Sequence, residues 1–419
     1  FFVVLCHIAG LLGAIYLHNK IKENSVYLKM IFLTLIMGVS GVIMTRDLFN
    51  LFVFLEIVAI STYALIGMEK KSIAAGFKYM IAGGIASAFF LIGTIYLYKF
   101  TGTLNIDLMI YSKSLIVGSA GSLAIFLLFG AILIELKPFP ANGWALDVYQ
   151  SAHSGVVAMI SVVTSGAMFF AFYKVLPILP SNYYPLIAGI GITTFVFSNL
   201  LGLKQTNAKR LLGYSSIAQM GLILGVLALI LQFTNYYAKM NAMVIVVVGL
   251  FINHFFAKAG FFWLAGVVKK ENIKDWAGLS KNPILLFTFG AFIFALIGLP
   301  PFPSFWAKWE LLTQLASNHL HGWIWVILFG SLLEAIYLLR WFGIAIKGES
   351  KTSFYASWSQ MMPILAFLLL LLYAGLFMLD MMPNFGIYFI LSIFAGALLF
   401  TIDWFPAKVK AIISMLMIG

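Results

Sequence analysis

The sequence predicts an all-α polytopic membrane protein of about 13 transmembrane helices, and three observations carry that reading. Of the 419 residues, 63% are hydrophobic and 10% charged, with a mean hydropathy of +1.03. Soluble domains carry about 25% charged residues, so a soluble chain of this composition would have too little polar surface to face water. Apolar runs of roughly 20 residues, the length that crosses a hydrocarbon slab, recur along the whole chain. Basic residues collect in alternate connections between those runs, as they do in membrane proteins of fixed orientation.

In order, the first runs are 1–17, 28–45, 48–68 and 74–98. Next come 115–136, which ends in a proline-rich interruption, then 153–176, 184–202, 211–231 and 240–268. The last are 283–315, interrupted in its middle, then 323–346, 361–382 and 386–404. Each is read as a helix because backbone in lipid must satisfy its own hydrogen bonds. Lys20, Lys22 and Lys29 follow the first run, Lys70, Lys71 and Lys78 the third, and Lys204, Lys209 and Arg210 the seventh. Lys269, Lys270, Lys274 and Lys281 follow the ninth, Lys347 and Lys351 the eleventh, and Lys408 and Lys410 the last. The intervening connections hold only Arg46, Lys99, Lys113, Lys174 and Lys239. This asymmetry places the basic loops in the cytoplasm and explains the net charge of +12 without a nucleic-acid partner.

A single cysteine, Cys6, excludes a disulfide framework, cysteine-ligated iron–sulfur clusters and zinc ribbons. The six histidines lack the spacing of a catalytic metal helix. No cofactor or metal is therefore expected in this chain, and any redox centre is expected in partner subunits.

Two interruptions organise the rest. The first reads Lys137-Pro138-Phe139-Pro140-Ala141-Asn142-Gly143-Trp144, and the second Leu299-Pro300-Pro301-Phe302-Pro303-Ser304-Phe305-Trp306-Ala307-Lys308. Prolines remove backbone donors and stop the helix, and Asn-Gly is a turn signal. Irregular backbone at membrane depth is tolerated only within protein or beside water. Paired interruptions in matching apolar runs point to an ion path, with Lys308 as the counterpart of Lys137; the alternative is two proline kinks with snorkelling lysines.

A lysine or arginine at mid-membrane costs about 2.5–3.5 kcal/mol on insertion scales, so ionisable groups inside the runs mark function. Glu56 lies within the third run and is expected to pair with Lys137, either in transport or as a pin between two helices. His254 and Lys258 are four apart and share a helix face. Glu334 is central in the eleventh run. His153 opens the sixth, where it either receives a proton from the first interruption or bonds to the loop. Glu135 is a weaker candidate, and Tyr214-Ser215-Ser216 reads as part of a solvated cytoplasmic end.

Asp47-Leu-Phe-Asn-Leu-Phe-Val-Phe-Leu-Glu56, Gly102-Thr-Leu-Asn105, Lys209-Arg-Leu-Leu-Gly-Tyr-Ser-Ser216, His254-Phe-Phe-Ala-Lys258 and Gly298-Leu-Pro300 together resemble one family. It is the antiporter-like membrane subunits shared by respiratory complex I, Mrp-type Na⁺/H⁺ antiporters and membrane-bound energy-converting hydrogenases, with wording nearest the last two. The resemblance covers nearly the whole chain. It implies two inverted five-helix repeats, 28–177 and 183–347, each with a broken helix, between an N-terminal segment 1–27 and C-terminal helices at 360–419. The family's first two helices are not in this chain, so either the sequence is truncated or this member is short.

By the same resemblance, Glu56, Lys137, His153, His254, Lys258, Lys308 and Glu334 form a mid-membrane ion axis, and the partners are other membrane subunits of such an assembly in a prokaryotic inner membrane. The ion is a proton or Na⁺, and the chain is a pumping subunit of an oxidoreductase with no redox chemistry of its own. The rival readings are a non-conducting coupling subunit of the same fold, a subunit of an Mrp-type antiporter, and a stand-alone solute transporter. One departure matters. The family's lysine in the middle of the sixth run falls here on Phe170 or Ser165, and no charge occurs before Lys174. Either His153, Ser161, Thr164 and water replace it, or conduction is lost.

Overall fold

The computed structural model describes residues 1–18, 26–233, 239–240, 242–347 and 354–380. Its helices are α1 (Phe2–Tyr16), α2 (Val26–Met44), α3 (Leu48–Ile66), α4 (Ile73–Thr101), the short α5 (Ile106–Tyr111), α6 (Gly118–Glu135) and α7 (Gly143–Ser151). Helices α8 (Ser154–Met159) and α9 (Ser165–Val175) form one rod joined by a π-helical turn, Ile160–Thr164. Then follow α10 (Tyr184–Gly202), α11 (Ala208–Ile230), α12 (Gly249–Val268) led in by a π turn at Met243–Val248, α13 (Pro283–Ile297), α14 (Pro303–Ser317), α15 (His321–Lys347) and α16 (Trp358–Asp380).

Ten of these spans are long and apolar enough to cross a membrane, and Phe2–Tyr16 and Pro283–Ile297 are shorter apolar helices. These twelve match the first twelve runs of the sequence. The thirteenth, 386–404, and the loop residues Lys20, Lys22, Lys351, Lys408 and Lys410 lie outside the described residues.

Burial sorts the spans into a core and a ring. All of the apolar stretch within Ala208–Ile230 is buried, as is 94% of that in Ser154–Ile178 and 78% in Met243–Val268, whereas the other spans are at most half buried. The ring turns Leu33, Phe77, Phe126 and Phe287 outward, the large apolar residues that lipid solvates. Without water to drive apolar surfaces together, such helices associate through close packing of small residues. Helix α11 carries Gly221 and Gly225 four apart, and they face Gly191 of α10. A Cβ on Gly191 would stand 2.6 Å from the Gly221 carbonyl oxygen and from the Gly225 Cα. Gly191→Val is expected to destabilise the protein by about 1–3 kcal/mol through overpacking, read as a lower thermal midpoint in detergent.

The same joints occur in both halves. Before α3, Asp47 caps the Asn50 amide and pairs with Asn105 in an isolated bridge; before α11, Asn207 caps the Arg210 amide and pairs with Asn272. Helix α4 ends on Gly102 at φ 67° and α12 on Lys269 at φ 53°, both left-handed. At the far ends, Lys174 donates to the carbonyls of Val42 (2.6 Å), Ile43 (3.2 Å) and Thr45, closing the C-terminus of α2. Arg340 does the same for the end of α10, donating to Leu203 at 2.8 Å and Gln205 at 3.1 Å. Lys174, which the sequence placed among loop charges, is thus a buried cap for orphan carbonyls.

Candidate functional site

Each interrupted helix is opened by a left-handed residue, and neighbouring helices satisfy the backbone groups it frees. Helix α6 ends at Glu135, and Lys137 adopts φ 61°. A non-glycine residue there costs about 1–2 kcal/mol, which the surrounding contacts must offset. Beyond it, Thr194 accepts from the Phe139 amide at 3.1 Å. In the second half α13 ends on Gly298 at φ 91°. Asn253 of α12 spans that gap, donating to the Ala295 carbonyl at 2.9 Å and accepting from the Ser304 amide at 3.4 Å.

Lys137 and Gly298 thus share the left-handed conformation just past the ends of α6 and α13. Lys308 lies on the helix after its break and reaches back, donating to the Ile297 carbonyl at 3.1 Å.

The expected Glu56–Lys137 pair does not form: among the described residues no ion pair joins them. Lys137 is buried and donates to Ser165 Oγ at 2.6 Å, with its Nζ 5.9 Å from the Trp144 ring centroid. Ser165 in turn donates its hydroxyl to the Ile160 carbonyl at 2.9 Å, the carbonyl that also accepts the Ser165 amide across the π turn. Glu56 accepts from Ser87 and shares with Glu135 the lining of a cavity of about 30 Å³. Glu135 lies within electrostatic reach of both Lys137 and Glu56, and accepts from the Tyr79 hydroxyl at 3.1 Å. Lys137 gives its hydrogen bond to the sixth span instead, and Glu56 takes its own from Ser87 of α4.

The π turn also carries the connection inward. The Ser161 hydroxyl meets that of Ser216 at 2.8 Å, and the Ser161 carbonyl lies 3.2 Å from His254 Nε2. Lys258, one turn on from His254, is fully buried and donates to Ser215 Oγ. Ser215 donates to Glu334 Oε1 at 2.6 Å and Gln219 to its Oε2 at 2.5 Å. Glu334 is fully buried and acts electrostatically on both Lys258 and Lys308. The structure thus gathers His254, Lys258, Glu334 and Lys308 into one group. Ser215 and Ser216, read from sequence as solvated, are buried links within it.

Gln219 escaped the sequence reading. Its signal was a polar residue one helical turn from Ser215 on an otherwise apolar helix.

His153 opens the sixth span. Its Nδ1 accepts from the Gly155 amide at 3.2 Å, capping α8. Nearby, Asp147 of α7 accepts from Lys78 at 2.6 Å and Arg210 at 2.9 Å, and Lys209 donates to the Ala152 carbonyl at 2.7 Å. Burial opposes the charge on Asp147, but the hydrogen bonds from Lys78 and Arg210 prevail and hold its carboxyl below the ordinary aspartate value. This half-helix is thereby tied to both halves of the molecule.

Residues 45–336 match the family model described as NADH:quinone oxidoreductase/Mrp antiporter, TM. The chain is 31% identical over 357 residues to NADH-quinone oxidoreductase subunit N of Desulforudis audaxviator, covering 81% of this chain and 69% of that one. To F(420)H(2) dehydrogenase subunit N of Methanosarcina mazei it is 29% identical, covering 81% and 71%. Among solved structures it is similar to a chain of the membrane-bound sulfane sulfur reductase, an archaeal respiratory membrane complex. There the TM-score is 0.78 at 28% identity, over 90% of this chain and 78% of that one.

Proposed function

We propose that this chain, which belongs to the NADH:quinone oxidoreductase/Mrp antiporter transmembrane family, is the ion-translocating subunit of a multisubunit energy-converting membrane complex and moves protons along its buried polar row. Its partners in this reading are other membrane subunits, and redox cofactors reside in them. The basic loops face the cytoplasm of a prokaryotic cell, and the segments 28–177 and 183–347 act as inverted units flanked by 1–27 and 360–419.

One observation carries the reading. Charged, hydroxyl and imidazole side chains follow one another through the core from Glu56 to Lys308, where each unpaired charge would cost several kcal/mol. Lysine and histidine dominate the row, which suits protons, whereas carboxylate and carbonyl sets suit hard cations such as Na⁺.

In the sixth span, where the family's lysine is absent, Ser165 receives Lys137, the Ser161 carbonyl meets His254 and the Ser161 hydroxyl meets Ser216. Thr164 Oγ1 and His254 Nδ1 are buried there without a protein partner, the condition under which proteins hold ordered water. Each proton moved outward across an inside-negative membrane works against about 2.3 kcal/mol per 100 mV. A partner's downhill reaction or a counter-ion gradient supplies it.

Ser161→Ala together with Ser165→Ala tests the bridge. Translocation by the assembled complex is expected to fall roughly tenfold, the effect of about 1.4 kcal/mol on a barrier, with assembly intact. The lack of a charge in the sixth span before Lys174 favours the rival, a coupling subunit that conducts nothing. An unchanged rate in the double variant would support that rival.

A further inference from the structure

We propose that Glu135 is the carboxylate that exchanges protons with Lys137 at the first break, with Tyr79 as its positioning residue and Glu56 one step further out. The proposal rests on the translocation reading and names the partner of its first lysine.

Glu135 is the last residue of α6, two before Lys137, and belongs to no pair the sequence pattern singled out. Three helices fix its surroundings. From α4, the Tyr79 hydroxyl donates to Oε2 at 3.1 Å. The Tyr79 ring stacks on Trp144 of α7, with centroids 4.2 Å apart and planes 11° from parallel. Tyr63 of α3 meets Tyr79 edge-on at 4.8 Å. Trp144 also lies beneath the Lys137 ammonium, so one aromatic wall places both the carboxylate and the lysine.

On its other side Glu135 lines the cavity of about 30 Å³ that Glu56 and Ser87 share, a space large enough for a single water. The charged and titratable groups acting on Glu135 are Lys137, Glu56, Tyr79 and Tyr63. Glu56 has Ser87 as its hydrogen-bond partner, and Glu135 shares the cavity with it on one side and lies two residues before Lys137 on the other.

The step balances simply. An Nζ–H bond of the Lys137 ammonium breaks as an O–H bond forms on the Glu135 carboxylate, leaving a neutral amine and a neutral acid. The acid then gives its proton to the cavity side, and the lysine is recharged from the row or from Glu135 in reverse.

Proton translocation by membrane vesicles holding the complete complex tests it, measured across pH for wild type, Glu135→Gln, Tyr79→Phe and Lys137→Gly. Glu135→Gln is expected to lower the rate roughly tenfold or more and to flatten the acidic limb of the pH profile. Tyr79→Phe keeps the ring stack and removes the hydrogen bond, and it is expected to shift that limb. A Glu135→Gln complex with wild-type rate and profile, beside an inactive Lys137→Gly, would overturn the proposal and leave the translocation reading standing. Activity retained in Lys137→Gly would overturn both. Should Glu135→Gln not assemble, an unmoved profile in Tyr79→Phe overturns the proposal alone.

Discussion

Glu334→Ala is expected to abolish translocation, by about a hundredfold or more, and to destabilise the protein by about 3–5 kcal/mol. Glu334 is fully buried, holds Ser215 and Gln219, and is the carboxylate acting on both Lys258 and Lys308. Its removal leaves two ammonium groups without their counter-charge and a serine and a glutamine without an acceptor. Breaking a buried pair from one side is far more harmful than never building it, because the surviving charge has lost its water as well. Glu334→Asp keeps the charge but withdraws it by one methylene, so partial recovery of both quantities is expected. Thermal unfolding of the purified complex, read beside proton uptake, checks this. Wild-type transport in Glu334→Ala would remove the second half of the row from the mechanism.

Lys137→Gly is expected to separate activity from stability, which makes it the sharper of the two tests. Lys137 holds a left-handed backbone that costs a non-glycine residue about 1–2 kcal/mol. Its ammonium adds an insertion cost of about 2.5–3.5 kcal/mol, offset by the hydrogen bond to Ser165. Glycine removes both costs along with that bond, as Gly298 does at the second break. The variant is therefore expected to unfold within about 1 kcal/mol of wild type, yet to translocate about a hundredfold more slowly. A merely structural lysine would give the opposite: lost stability, with activity falling only in proportion to folded protein.

Much of the fold was legible because lipid imposes a simple rule on sequence. A span must be long, apolar and helical, so Val26–Met44 through Trp358–Asp380 could be read from run length. Proline placement marked both interruptions, and the penalty on buried charge singled out Glu56, Lys137, His254, Lys258, Lys308 and Glu334. Ser161, Ser165, Ser215 and Ser216 were harder. A serine in an apolar run is cheap enough to occur anywhere, and only burial beside a lysine, a histidine or a second hydroxyl gives it meaning. Lys174 shows the converse: its position near a span end read as solvated, and the structure folds it inward onto three carbonyls.

What the sequence alone determined was the solvent, the spans, the two breaks and the residues too costly to keep there idly. Helical periodicity assigns a side chain to a face of its own helix, and carries no information on which neighbour that face meets. Tertiary packing therefore decided that Lys137 meets Ser165 with Glu135 beside it, that Glu334 serves two lysines, and that a π turn brings Ser161 to His254. Those choices depend on interhelical distances of a few ångströms, set by glycine contacts such as Gly191 against Gly221, and a linear pattern of residues does not contain them.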